Sequence, residues 1–185
     1  ACNFLPCTGW KTGFPRYLLS RYMLEQKDFD QACLSLERIN SIASSRNILL
    51  ADHKGHMVNY EILPVGVGEI HGNGSLIHTN HFVHPEMAKY EKSNPYEMED
   101  SLVRYQRFTE LSEDNKGKID LALIQAFLRD HGDHPCYSIC MHPSLHNTYR
   151  TMASLVFDLT DRVMYVAAGN PCQSRYQKYT FEMQP

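Results

Sequence analysis

The chain has 185 residues, of which 43% are hydrophobic and 21% charged, an ordinary globular composition that excludes a disordered segment. Its net charge of −3 and its pI near 6.4 argue against nucleic acid or an anionic membrane as a partner. No apolar run approaches the roughly 20 residues that span a bilayer, and no secretory signal is visible. We therefore expect one domain over residues 1–185 of an intracellular, cytoplasmic protein.

Two helices are predicted near the start of the chain. Pro15 can occupy the first turn of a helix that continues through "RYLLSRYMLEQ". Asp28 is a suitable N-cap for a second helix, whose residues form an apolar stripe at helical spacing: Phe29, Ala32, Cys33, Leu36 and Ile39. The pattern predicts a helical hairpin that covers another layer.

Short β-type runs follow, separated by turn-like residues. They are "NILLAD", "HMVNYEIL", "VGVGEI" and "SLIHTN", which together predict an antiparallel meander. Val58, Tyr60 and Ile62 alternate along the second run and should form its buried face.

The remainder of the chain repeats this order. A helix is predicted to begin at Asp100 or Ser101, and another to begin after Asp120 as its N-cap. Four further strands are predicted in "CYSICM", "MASLVFDL", "RVMYVAAG" and "QKYTFEM". Helices and strands kept in separate runs predict an α+β fold, with helices layered on antiparallel sheets.

The stretch "LIHTNHFVHP" (76–85) contains three histidines spaced three apart. If residues 76–80 form a strand, His78 and Asn80 share one face while Thr79 and His81 share the other. The three histidines then cannot converge on one ion, so no metal site is expected here.

A second group of histidines and cysteines lies in residues 131–146, "HGDHPCYSICMHPSLH". Its Cys136-x3-Cys140 spacing is not that of a common zinc knuckle, and a strand with buried thiols explains it as well. A metal-binding or scaffold domain built on this segment stays open as an alternative.

Several motifs in series resemble one enzyme family. They are "GFPRYLLSRYMLE", "ASSRNILLADHKGHMVNYEILP", "GSLIHTNHF", "DSLVRYQR", "HPCYSIC" and "TMASLVFDLTDRVMYVAAGNPC". In this order they resemble the acyl-coenzyme A:6-aminopenicillanic acid (isopenicillin N) acyltransferase family of N-terminal-nucleophile (Ntn) hydrolases, the peptidase C45-like group. The resemblance implies a four-layer αββα sandwich with antiparallel sheets, to which this chain would contribute a large, C-terminal part.

The resemblance also implies a site. Asn80, in the HTNH motif, would donate its side-chain amide to the oxyanion of the tetrahedral intermediate. Thr79 and His81 would support it as substrate-binding residues. Asp100 and Ser101 would order the substrate cleft, and Arg150, together with Asn147, would border the pocket.

The nucleophile implied by the resemblance is the cysteine of a Gly-Cys-Thr sequence. Autoproteolysis immediately before this cysteine would make it the N-terminal residue. Its α-amino group, with an ordinary pKa of about 8, would accept the thiol proton. Cys2 and Cys7 do not match that position, so we expect the nucleophile upstream of Ala1, on a segment or chain that would be a partner of this one.

The expected activity is thiol-dependent amide hydrolysis or acyl transfer on a small linear amide or acyl substrate. Neither a resident cofactor nor a metal is expected, although acyl-coenzyme A would be compatible as a co-substrate. The alternatives are the metal-binding domain described above and a non-catalytic domain that binds acyl compounds.

Overall fold

The computed structural model describes residues 1–72, 74–132, 137–144 and 148–180. The chain forms two compact units, Ala1–Met98 and Glu99–Pro185. The boundary between them falls within one helix, α3 (Pro95–Asp114).

The first unit contains a four-stranded antiparallel sheet and two helices. Its strands, in the sheet order β1-β2-β3-β4, are β1 (Cys2–Asn3), β2 (Arg46–Ala51), β3 (Met57–Leu63) and β4 (Gly66–Ile70). Its helices are α1 (Arg16–Leu24) and α2 (Phe29–Glu37). The predicted hairpin of helices and the first three runs of the predicted meander are thus confirmed.

One face of this sheet packs against the helices. Asp28 caps α2 as predicted, because its carboxylate accepts the backbone N–H of Gln31 at 2.8 Å. The helices and the sheet share one buried apolar cluster, made of Leu19, Met23, Leu36, Ile42, Ile48, Val58, Tyr60 and Ile62. The predicted buried face of β3 is part of this cluster, and burial of such side chains is the main stabilising contribution to the unit.

The other face of the same sheet carries a row of polar residues. The strand register places Asn3 opposite Asn47, Asn47 opposite Glu61, and Glu61 opposite Gly68. Asn47 and Glu61 are 1% and 0% exposed, so this face is covered rather than solvated. Buried polar groups require hydrogen-bond partners: Asn47 finds them within the sheet, at Asn59 Oδ1 and the Tyr60 carbonyl, whereas the segment that covers the face supplies those of Glu61.

The predicted strand "SLIHTN" is not formed, since residues 75–80 have no strand geometry. Hydrogen bonds from polar side chains of the sheet hold this segment in place of a backbone hydrogen-bond ladder. Farther along, Phe82 and Met87 join Leu5 and Leu63 in a second apolar cluster.

Helix α3 begins six residues earlier than Ser101, so the predicted start at Asp100 or Ser101 is wrong. Asn94 accepts the backbone N–H of Glu97 at 2.9 Å, and Glu97 accepts that of Asn94 at 3.1 Å. This reciprocal pair is a capping box, and Pro95 suits the first helical position because it lacks an N–H. These local signals set the start of the helix.

The second unit contains the rest of α3, helix α4 (Leu121–Phe127) and a three-stranded antiparallel sheet. Its strands, in the order β5-β6-β7, are β5 (Ala153–Asp158), β6 (Val163–Ala168) and β7 (Gln177–Thr180). Asp120 caps α4 as predicted, accepting the N–H of Leu123 at 2.8 Å.

The predicted strand "CYSICM" is not formed in its described part, residues 137–141. Two of the backbone groups there bond to side chains: Ser138 Oγ donates to the Cys140 carbonyl at 2.8 Å, and Met141 N–H donates to Thr151 Oγ1 at 3.0 Å. Such side-chain bonds compete with a sheet ladder.

The fold is therefore α+β with antiparallel sheets, as predicted. Within the described ranges, no helix combines the length and the hydrophobicity that crossing a membrane would require.

Candidate active site and a histidine–cysteine cluster

Asn80 lies next to the first strand of the sheet in the first unit. Its side-chain nitrogen donates to the Phe4 carbonyl oxygen at 3.1 Å. The residue is partly exposed, so its amide is both held in orientation and within reach of solvent. A half-exposed, oriented amide is suited to donate a hydrogen bond to a bound molecule.

His78 anchors the segment that carries Asn80. Its Nε2 donates to Glu61 Oε1 at 3.0 Å, and both side chains are buried, at 2% and 0% exposure. Its Nδ1 lies 2.6 Å from the Thr79 carbonyl oxygen, and Asn3 Nδ2 donates to the His78 carbonyl at 3.0 Å. His78 is thus a positioning residue beneath the segment, not a surface ligand.

Glu61 also holds the part of the segment that follows Asn80. The backbone N–H of Val83 donates to its Oε1 at 2.7 Å, and that of His84 donates to its Oε2 at 3.2 Å. One buried carboxylate therefore fixes the chain on both sides of Asn80. Because charge-assisted hydrogen bonds are strong, this is a rigid support.

Thr79 and His81 lie together, with Thr79 Oγ1 3.2 Å from His81 Nδ1. His81 is 6% exposed. His78 contacts Asn3, and Asn80 donates to the Phe4 carbonyl, whereas the predicted division of these four side chains between two faces required a strand that is not formed. The substrate-binding role of Thr79 and His81 stays a prediction.

Asp100 and Ser101 lie within α3 in the second unit. Asp100 pairs with Arg104 one turn later, with Arg104 Nη2 2.5 Å from Asp100 Oδ2, and Ser101 is fully buried. Their predicted role in ordering the substrate cleft stays untested.

Arg150 is exposed, and its Nε lies 3.3 Å from the Met152 sulfur. Asn147 and Cys136, which the sequence analysis also named, lie outside the described residues. Arg150 as a pocket residue stays a prediction.

Two arginines, Arg16 and Arg46, lie close in space to the first residues of the chain. Arg46 Nη2 lies 2.6 Å from Cys2 Sγ, and Arg46 and Arg16 both stack over the Tyr17 ring, at 5.4 and 4.8 Å from its centroid. Buried N–H groups of both arginines, at Arg16 Nη1 and Arg46 Nε, have no hydrogen-bond partner among the residues that the structure describes. This region of the first unit therefore carries positive charge.

Sequence reasoning missed Glu61 and Asn47. Glu61 alternates with apolar residues along β3, and Asn47 follows the charged Arg46 in β2, and both patterns are typical of a solvent-facing side. A signal was nevertheless present: Glu61 is flanked by apolar or aromatic residues in "NYEIL", where a charge is unusual unless it is paired.

The second unit contains a cavity of about 480 Å³. Across it the guanidinium of Arg107 bonds Asp130 in a bidentate pair, at 2.9 and 2.7 Å, and holds the pKa of that carboxyl below its usual value. The other lining residues are Val103, Gln106, Glu110, His131, Gly132, Tyr137 and Ser138.

Beside this cavity, four ligand-type side chains converge, from His131, Cys140, His142 and Cys172. Their ligand atoms all lie within 4.8 Å of one another. Burial, followed by the neighbouring Cys140 thiol, raises the pKa of Cys172. Cys172 lies outside the segment that the sequence analysis singled out, which is why the set was not recognised there.

Comparison with known proteins gives one family. The model of the acyl-coenzyme A:6-aminopenicillanic acid acyl-transferase family matches residues 1–173. A search of curated proteins gives no match. Because the family model covers nearly the whole chain, this chain belongs to the acyl-coenzyme A:6-aminopenicillanic acid acyl-transferase family.

Proposed function

We propose that this chain is part of a cysteine-dependent Ntn enzyme that cleaves a small linear amide, or an acyl thioester, and passes the acyl group to water or to an amine. Membership of the family supports acyltransferase or hydrolase activity. The observation that carries the proposal is the anchored amide of Asn80, held to Phe4 and supported from below by His78 and Glu61.

The chemistry follows from these groups. A cysteine thiolate attacks the acyl carbon, a C–S bond forms, and the carbonyl electrons move to the oxygen. Asn80 donates an N–H to that oxyanion, and Thr79 and His81 support the segment from its other side. Collapse of the intermediate expels the amine, which leaves with a proton. Water or a second amine then releases the acyl group from sulfur.

The position of Asn80 suits the oxyanion role for an energetic reason. A donor stabilises a developing charge most when it needs no reorientation during the reaction. The Phe4 carbonyl holds one N–H of the Asn80 amide, and Glu61 fixes the backbone through Val83.

The nucleophile in this proposal is an N-terminal cysteine of the mature enzyme, with its own α-amine as the base. No resident cofactor takes part, and an acyl-coenzyme A thioester would enter as a co-substrate. Asp100, Ser101 and Arg150 are proposed to border the substrate. The four-layer αββα sandwich belongs to this proposal too, as the architecture in which the nucleophilic cysteine would lie.

The test is Asn80→Ala in the full-length protein, assayed with a panel of chromogenic acyl anilides with and without an acceptor amine. We expect kcat to fall about 100- to 1,000-fold, the typical loss of one oxyanion donor. Intact-mass measurement of quenched reactions should show less acyl-enzyme formed per unit time.

Asn40→Ala is the matched control, because it makes the same chemical change at an exposed asparagine of the same unit. It should leave kcat unchanged. An Asn80→Ala enzyme that is folded and as fast as the parent would remove Asn80 from the mechanism, and turnover without any acylated cysteine would refute the thiol chemistry.

A further inference from the structure

The atoms of the His131–Cys140–His142–Cys172 cluster are arranged around a common point. His142 Nε2 lies 3.1 Å from His131 Nε2, 3.2 Å from Cys172 Sγ and 3.8 Å from Cys140 Sγ. An imidazole nitrogen carries at most one proton, so it cannot serve three partners as a donor. Ordinary hydrogen bonding does not account for this convergence.

These distances of 3.1–3.8 Å are close to the edges of a zinc tetrahedron, and all four ligand atoms lie within 4.8 Å of one another. Zinc–sulfur bonds of about 2.3 Å and zinc–nitrogen bonds of about 2.0–2.1 Å give ligand–ligand edges of about 3.3–3.8 Å. Two thiolates and two imidazoles are also a donor set that zinc prefers. We propose that His131, Cys140, His142 and Cys172 bind one zinc ion in the second unit.

The surrounding chain holds the ligands in place without the ion. Cys140 N–H donates to the Asp130 carbonyl at 2.9 Å, which ties the residue before His131 to the first cysteine. Asn170 Nδ2 donates to the Met141 carbonyl at 2.7 Å and lies 3.5 Å from Cys140 Sγ. Groups of this kind orient metal ligands and stabilise a thiolate.

The turn after β6 brings the last ligand into position. Gly169 has φ of +78°, a conformation that favours glycine, and Ser174 Oγ donates to the Ala168 carbonyl at 2.6 Å to close the turn. Arg129 donates to the Pro171 carbonyl at 2.9 Å, immediately before Cys172. Three separate segments of the unit, at residues 131, 140–142 and 172, therefore meet at the cluster.

Four protein ligands fill a tetrahedral zinc shell, which is the composition of a structural site rather than a catalytic one. On binding, the two thiol protons pass to solvent, and Zn²⁺ with two thiolates and two neutral imidazoles has no net charge. The ion would link the three segments as a disulfide links two. Its expected effect is on the stability of the second unit, independent of acyl transfer.

The experiment measures the metal directly. Protein purified without chelator is analysed for zinc by inductively coupled plasma mass spectrometry, and apoprotein is titrated with Co²⁺ as a spectroscopic substitute. We expect about one zinc per chain, Co²⁺–thiolate absorption that zinc abolishes, and a lower Tm after chelation.

Cys172→Ser and His142→Asn should reduce bound zinc to background, whereas Cys33→Ser, the same change in a thiol of the first unit, should retain it. Parent protein with no zinc and no Co²⁺–thiolate absorption would overturn the proposal, and that result does not depend on whether any variant folds. Zinc retained in both cluster variants, or a Cys140–Cys172 disulfide in freshly purified protein, would overturn it as well. Absence of zinc binding would leave the proposed oxyanion role of Asn80 standing, since Asn80 belongs to the first unit.

Discussion

At the scale of single residues, Glu61 is the centre of the candidate active site although it is not proposed to touch substrate. Its two oxygens accept from His78 Nε2 and from the backbone N–H groups of Val83 and His84. Every partner is a donor, so the position requires a group with acceptors only. An ionised carboxylate is such a group, and an amide is not.

Glu61→Gln should therefore destabilise the protein although the side chain keeps its size. The new NH2 group would face a donor, and we expect a loss of about 1–3 kcal/mol in the free energy of unfolding, the cost of a buried unsatisfied polar group. Urea denaturation followed by circular dichroism measures it.

Glu69→Gln, the same change at an exposed position of the same sheet, should stay within about 0.5 kcal/mol of the parent. Equal stability of the two variants would show that Glu61 does not hold the segment around Asn80.

Gly68 shows a second residue-scale constraint on the same face. A Cβ at this position would lie 2.7 Å from Met87 Cγ and 2.8 Å from His84 Cγ, closer than side chains approach. The segment after Asn80 therefore passes directly over Gly68. A glycine is needed here for space, opposite Glu61 in the register.

Gly68→Ala should cost about 1–3 kcal/mol of stability, as overpacking a filled site does. Gly66→Ala in the same strand is the control, because nothing lies within 4 Å of the added Cβ there. Thermal unfolding should separate the two variants, and a Gly68→Ala protein as stable as Gly66→Ala would contradict the close packing.

At the scale of elements, strand β3 contributes one face to the apolar core and the other face to the proposed active site. Its residues Val58, Tyr60 and Ile62 face the helices, whereas Asn59 and Glu61 face the segment of the proposed active site. Because successive side chains of a strand point to opposite faces, the apolar residues and the buried polar residues lie on opposite sides of one backbone. Both faces of a single strand are used.

The start of helix α3 depends on its capping box. Asn94→Ala would remove the acceptor of the Glu97 N–H and disrupt the capping box, so we expect a loss of about 1 kcal/mol of stability. Denaturant unfolding of this variant measures the effect. Asn40→Ala is the control, because Asn40 is an asparagine that does not serve as a helix cap. No difference between the two would place the functional start of the helix nearer Asp100, as the sequence analysis predicted.

At the scale of the whole molecule, acid stability depends on ion pairs such as Arg107–Asp130. Arg107 lowers the pKa of the Asp130 carboxyl in the folded state. A depressed folded-state pKa contributes stability that is complete above the unfolded-state value near 3.8 and is lost as pH falls through the folded-state value.

Asp130→Asn should therefore cost about 1–2 kcal/mol at pH 7, a modest amount because Arg107 is partly exposed. The difference from the parent should shrink below about pH 4, where the unfolded state gains its proton. Unfolding curves at a series of pH values test this. A difference that is constant down to pH 2 would contradict the assignment.

Local signals decided much of the fold in advance. Asp28 and Asp120 lie next to the helices that they cap, and the alternation of Val58, Tyr60 and Ile62 is contained within one strand. In each case the interaction spans a few residues, so the sequence around it is sufficient. The antiparallel α+β class follows from the order of these elements, and the motif order pointed to the family that the family model then showed.

Contacts between distant residues decided the rest. Residues 75–80 have strand-like sequence, but side chains from Asn3 and Glu61 bind them and no backbone ladder forms. The burial of Glu61 could not be predicted from its alternation with Tyr60 and Ile62, because the same pattern fits a solvated face. Cys172 lies 30 residues after His142, yet its sulfur is 3.2 Å from that imidazole.

The sequence by itself therefore determined the helices, most strands, the family and Asn80 as the residue to examine. The tertiary structure decided how Asn80 is held, since its support comes from residues 3, 4 and 61 through long-range hydrogen bonds. It also decided which histidines and cysteines meet. The physical reason is the same in both cases: local backbone preferences act over a few residues, whereas buried polar groups find partners wherever packing brings them.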